Sequence, residues 1–114
     1  MVAWIVRFEQ LIIFLLILFL YFLFGASWWL WILWIVPDLG MIGYLQNKKI
    51  GAFVYNFSHN YLFSLAVLGF GYLAGDGTIF AIGLIFCSHI ALDRFLGFGL
   101  KYPSDFKDTH IQKL

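Results

Sequence analysis

LIIFLLILFLYFLFGASWWLWILWIV, residues 11–36, runs without a single charged side chain. A helix crossing a hydrocarbon core of about 30 Å needs roughly 20 apolar residues, so this stretch is too long for one crossing. The small residues Gly25, Ala26 and Ser27 interrupt it, which predicts a hairpin. One span covers about residues 4–24, with Arg7 and Glu9 at its entrance, and a second covers about 27–45, with Pro37 and Asp38 inside it. Trp28, Trp29, Trp31 and Trp34 cluster at the start of the second span, where indoles favour the headgroup level.

The same reading extends along the chain. The polar QNKK at 46–49 ends the second span, a third runs over about 51–73, and AGDG at 74–77 is a tight turn. A fourth span covers about 78–96, followed by a tail at 97–114 that is first glycine-rich and then charged. Composition agrees. Hydrophobic residues make up 63% and charged residues 11%, with a mean hydropathy of +0.92, whereas soluble domains carry about a quarter charged residues. The expected fold is therefore an all-α integral membrane protein. It is a single domain over residues 1–114, with four transmembrane helices as two hairpins. A cleaved signal peptide fits less well, because Glu9 sits beside Arg7 and GAS opens straight into further membrane sequence. The net charge of +1, spread over scattered basic residues, offers no nucleic-acid surface, and the single Cys87 excludes an internal disulfide.

Four spans place Arg7, Lys48, Lys49, Arg94, Lys101, Lys107 and Lys113 on one side and no lysine or arginine on the other. The positive-inside rule then puts both termini in the cytoplasm. At ~1.5 Å per residue, Asp38, His59 and His89 each fall roughly 12 to 15 Å from the cytoplasmic face, and Asp93 lies nearer still. Two ionised aspartates facing lipid at that depth would cost on the order of 5 to 7 kcal/mol, so they are expected to face inward and to have partners. In HIALD the histidine and aspartate are four apart and share a helix face, as Tyr55 does with His59 in YNFSH, with Asn56 close by. Arg94 is expected to snorkel to the cytoplasmic headgroups.

Two imidazoles and two carboxylates at one depth form a nitrogen and oxygen donor set suited to a divalent metal such as zinc, iron or manganese. The metal ligands expected are Asp38, His59, His89 and Asp93, with Tyr55, Asn56 and His110 as partners behind them. The same residues would equally form a closed hydrogen-bond network that fixes helix register, or a proton or substrate relay in a small transporter. Haem fits poorly, since bulky Phe57, Phe63 and Phe86 flank both histidines. Pro37 reads as a kink that frees a backbone carbonyl beside Asp38.

PDLGMIGYL, GAFVYNFSHNY, HIALDRFLGFGLKY and FKDTHI, in that order, resemble the bacterial membrane-protein family catalogued as domain of unknown function 4260. The resemblance implies a small four-span protein of bacterial inner membranes and adds weight to Asp38, Asn56, His59, His89, Asp93, Arg94, Lys101, Tyr102, Lys107, Asp108 and His110. It supplies no substrate. A looser similarity of layout links the chain to membrane-bound metal-dependent hydrolases. The functional expectation is a metal-dependent hydrolase acting on a membrane lipid or other amphiphile. Asp38, Asp93, Arg94 and Lys101 are its candidate catalytic residues, with Arg94 or Lys101 steadying an anionic headgroup. A small transporter and a structural accessory subunit are the alternatives, and the oligomeric state is open. Four protein ligands would close a tetrahedral site, so catalysis needs one of them to serve as base or a coordination number above four.

Overall fold

The computed structural model describes residues 1–102 and 109–113; Lys107 and Asp108 lie outside the described residues. The expected break at GAS is there. Helix α1, Val2–Phe24, ends on Gly25, whose φ of 75° is a left-handed cap open to glycine without strain, and Tyr21 closes the corner by donating its hydroxyl to the Ser27 carbonyl at 2.6 Å. Helices α2, Lys48–Ser58, α3, Tyr61–Ala74, and α4, Gly77–Leu96, follow the second span.

That second span, Trp28–Leu45, winds as a 3-10 helix throughout. Three residues per turn at ~2.0 Å each carry its 18 residues about 36 Å, enough to cross a bilayer core with length to spare. The threefold register lines up side chains three apart. Trp28 and Trp31 stack with centroids 6.2 Å apart, and Trp31, Trp34 and Pro37 all turn towards the protein while Trp29, Ile32 and Ile35 turn away. The register also changes which carbonyl a proline frees, because the missing N–H of Pro37 leaves the Trp34 carbonyl, three residues back, without its helical donor.

The third expected span is divided. Asn60 breaks it by serving two helices at once. Its amide nitrogen donates to the carbonyls of Asn56 and Phe57 at the end of α2, and its oxygen accepts from the Phe63 amide at the start of α3. Backbone groups that lose their helical partners in an apolar setting need such replacements. The break leaves His59 as the cap residue that closes α2, its ring turned into the interior.

Helix α4 is the centre of the assembly, buried from Gly83 to Ala91 and flanked by α1, α3 and the 3-10 helix. Its approach to α3 is set by absent side chains: a Cβ on Gly83 would lie 2.5 Å from the Leu68 backbone, and one on Gly71 2.3 Å from the Phe80 amide. At the other end of the fold, Gly51 of α2 lies so close to the Tyr44 ring that a Cβ there would overlap it. The distribution of polarity is reversed from that of a soluble domain. Phe19, Phe22, Leu23, Ile32, Phe53 and Leu62 are among the exposed side chains, whereas His59, Ser64, Ser88, His89, Lys101 and Thr109 are buried. Among the described residues three helices, Val2–Phe24, Trp28–Leu45 and Gly77–Leu96, are long and apolar enough to cross a membrane.

Candidate metal centre

The freed carbonyl of Trp34 has a taker. His89 Nδ1 lies 2.6 Å from it, and because a carbonyl can only accept, Nδ1 carries the hydrogen. The Trp34 ring packs against the same imidazole at 4.2 Å, and its indole N–H is tied to Ser88 Oγ at 3.2 Å. Pro37 thus places the hydrogen on Nδ1 of a histidine on another helix and turns Nε2 of His89 toward the carboxylates of Asp38 and Asp93. His59 is set in the same way. Its Nδ1 lies 3.0 Å from the Tyr55 carbonyl in the last turn of α2, and the Tyr55 ring stacks on its imidazole at 3.7 Å and 7°. Ser58 donates across to the Pro37 carbonyl at 2.9 Å and holds α2 against the 3-10 helix at this level.

Both Nε2 atoms point at the same two carboxylates. His59 Nε2 is 3.2 Å from Asp38 Oδ1 and 3.5 Å from Asp93 Oδ2; His89 Nε2 is 3.0 Å and 3.1 Å from the same two atoms. All four ligand atoms lie within 4.8 Å of one another. Ligand bonds of about 2.0 to 2.1 Å in a tetrahedron set its edges at roughly 3.3 Å; the four nitrogen-to-oxygen separations fall near that length, while the set as a whole spans up to 4.8 Å. Both Nε2 atoms are within hydrogen-bond reach of Asp38 Oδ1, so the four groups either share protons or, with both imidazoles neutral, present a donor set to a cation. The cluster could hold a metal ion.

The centre is closed on one side and open on the other. The imidazoles of His59 and His89 are 3% and 0% exposed, whereas the side chains of Asp93 and Asp38 are 15% and 37% exposed. Beyond the carboxylates is a cavity of about 180 Å³ lined by Asp38, Met41, Tyr55, Asp93, Phe98 and Lys101. Lys101 is itself buried, with Nζ 4.3 Å from the Tyr55 ring centroid. Burial lowers its pKa, and the charges of Asp93 and Asp38 oppose that shift. Its backbone is clamped by one side chain: Asn56 accepts from the Lys101 amide at 2.6 Å and donates to the Lys101 carbonyl at 2.8 Å.

The other expected residues take separate places. Of the partners expected behind the ligands, Tyr55 stacks on His59, whereas Asn56 holds the Lys101 backbone instead. His110 lies with the tail. Its Nδ1 accepts from the Leu100 amide at 2.7 Å, and its ring covers Gly99, with Lys101 paired to Thr109 in an antiparallel bridge. Burial and the Arg94 charge hold the His110 imidazole below its ordinary pKa. Arg94 does not reach outward as expected. Its guanidinium lies 4.7 Å over the Tyr61 ring, and Tyr61 in turn donates to Gln10 of α1. Arg7 donates from Nε to the Phe95 carbonyl at 2.7 Å near the end of α4. Trp34, Ser58 and Ser88 went unforeseen as supports, because a main-chain carbonyl and two hydroxyls leave no charge pattern to read.

Bilayer-length apolar helices around a cluster of two buried histidines and two partly exposed aspartates define an all-helical protein of membrane type with a candidate metal centre. Residues 3–114 match the family described as a domain of unknown function, DUF4260, and the chain belongs to that family. No curated protein and no solved structure matches it.

Proposed function

We propose that the chain is a multi-pass inner-membrane metalloprotein with both termini in the cytoplasm, and that its centre supports hydrolysis of an ester. In this reading α2 and α3 together make the third crossing. Tyr61 meets Gln10 and Gly77 meets Phe24, so α3 covers the depth between those residues of α1 and α2 supplies the remainder. The all-to-none division of lysine and arginine supports the orientation.

One observation carries the metal assignment. Each Nε2 is within 3.5 Å of oxygens from both aspartates while each Nδ1 is committed to a main-chain carbonyl. Both Nε2 atoms share Asp38 Oδ1 at hydrogen-bond distance, as a closed network would have them, and each also lies within 3.5 Å of Asp93 Oδ2, as a shared cation requires. Two nitrogens and two carboxylate oxygens suit divalent zinc, iron or manganese without singling one out. Bound there, such an ion would supply Lewis-acid polarisation of a carbonyl or phosphoryl oxygen and a more acidic water.

The chain's own residues supply the rest. His59, His89 and Asp93, the better-buried three, form the fixed side. Asp38, open to the cavity, is the general base: it takes a proton from the attacking water as the water oxygen bonds to the ester centre. It returns that proton to the alkoxide released when the ester bond breaks. This division meets the need for an open position at a catalytic site. Elemental analysis of detergent-purified protein tests the reading. About one divalent ion per chain is expected in the wild type and under a tenth of that in His59→Ala and in His89→Leu. Equal metal content in wild type and both variants would overturn it.

A further inference from the structure

A groove follows the line where α1 and α3 lean on α4. Ile13, Ile17, Leu20, Leu65, Leu68 and Leu84 line it, and none of them lines the cavity beside the carboxylates. Its volume is about 380 Å³, within the range of about 300 to 1,000 Å³ for sites that enclose small ligands. One end is polar, and each helix supplies its part at a spacing that keeps it on the groove's face. On α1 Gln10 precedes Ile13 by three residues and Ile17 by seven; on α3 Tyr61 precedes Leu65 by four; on α4 Arg94 follows Cys87, another lining residue, by seven. Tyr61 donates to Gln10 across that end, and the Arg94 guanidinium lies 4.7 Å over the Tyr61 ring. Arg94 Nε is buried without an acceptor, and among the described residues no carboxylate pairs with Arg94. Its neighbour Asp93 is turned to the two histidines instead. Arg7, one turn before Gln10, brings a second guanidinium that meets only the Phe95 carbonyl and the Trp4 ring, while the exposed Glu9, two places along, faces another way.

We propose that this groove holds an anionic phospholipid of the surrounding bilayer, one acyl chain along the aliphatic stripe and the phosphate at the Arg94 guanidinium. The inference needs the membrane part of the reading above and none of its metal chemistry. From Ile13 to Leu20 the stripe runs about 10 Å, which seats part of one chain and leaves the rest in the bilayer. A packing helix fits less well, because membrane helices approach each other through small residues and the lining has no glycine, alanine, serine or threonine. Charge selects the headgroup. A zwitterionic one would bring an ammonium towards two guanidiniums, whereas a net-anionic one meets them with its phosphate alone.

Native mass spectrometry of the full chain, released from detergent with chelator present, counts bound lipid as phosphatidylglycerol or phosphatidylethanolamine is titrated in. Expected is one saturating phosphatidylglycerol, held about 10-fold tighter than phosphatidylethanolamine. Arg94→Gln should weaken it roughly 10- to 100-fold, the range for a lost charged hydrogen bond, and Arg94→Lys by less. Leu65 is 53% exposed on the rim, so Leu65→Trp should fill the groove with the lipid-free melting temperature unchanged. That variant should weaken the lipid about 10-fold, the worth of a methylene or two returned from the protein. Equal affinity for the two lipids, or Arg94→Gln titrating like the wild type, would overturn the headgroup assignment. Leu65→Trp binding like the wild type would overturn the groove as the chain's seat, and a lipid-free dimer that Leu65→Trp breaks would give the groove to a second copy and overturn it too. Release of the wild type from membranes by alkaline carbonate would instead overturn the membrane reading beneath the inference.

Discussion

Replacing Pro37 in a background that lacks the His89 imidazole tests whether a missing N–H on one helix sets a histidine on another. His89→Leu keeps a similar apolar bulk but removes the donor 2.6 Å from the Trp34 carbonyl, leaving that carbonyl unpaired inside the protein. An orphaned buried acceptor costs about 1 to 3 kcal/mol. Pro37→Ala alone should cost about 0.4 to 1 kcal/mol through added freedom of the unfolded chain. In the double variant the backbone N–H that Pro37→Ala introduces meets the Trp34 carbonyl in the three-residue register, so the second change restores what the first removed. The coupling should be about 1 to 2 kcal/mol. At about 4 °C per kcal/mol for a chain of 114 residues, the coupling less the intrinsic cost has Pro37→Ala raise the melting temperature of His89→Leu by up to about 6 °C while lowering that of the wild type. The assay is thermal unfolding in detergent with chelator present, so that lost metal ligation does not enter. Effects that add to within about 0.5 kcal/mol would refute the link between Pro37, the Trp34 carbonyl and His89.

Asn56→Ala removes both bonds to the Lys101 backbone, so hydrogen exchange at the Lys101 amide should quicken roughly 10-fold or more while α4 amides keep their protection; unchanged exchange there would show that the clamp is not needed. Gly83→Val drives side-chain atoms into the Leu68 backbone and should destabilise the fold by about 1 to 3 kcal/mol, read as a lower melting temperature, whereas Gly69→Ala, with open space around it, should change it little. The tail should loosen in acid. The His110 pKa is depressed below 6.5 by burial and by Arg94, so its contribution is complete above about 6.5 and is lost as pH falls from there through the folded-state value. Exchange at the Leu100 and His110 amides, corrected for intrinsic chemistry, should rise from pH 7 to pH 5 in the wild type and stay level in His110→Asn.

The parts of this fold that rest on where apolar runs stop were readable from residue order. The hairpin at Gly25 and the limits of α4 fall within a residue or two of expectation, because lipid length and turn chemistry act locally. The convergence of Asp38, His59, His89 and Asp93 was readable too, since the energetic cost of a charge at depth says it must find company. Two features were less accessible. A 3-10 helix and an α-helix demand the same apolar composition, and only the threefold alignment of Trp28, Trp31, Trp34 and Pro37 hints at the tighter winding. The break at Asn60 is signalled by an asparagine three residues before Phe63, a capping pattern that the surrounding apolar stretch conceals. Arg94 departs from expectation because snorkelling assumes an open route to water, and Tyr61 supplies an aromatic face closer to hand.

Asp38 and His59 stand 21 residues apart, and His89 comes 51 residues after Asp38. In the reading proposed above, the first two would be made well before their partners and would form half of the donor set until α4 supplies His89 and Asp93. Ion capture would then be the closing event of assembly, and a chain halted before α4 would carry only Asp38 and His59 of the four.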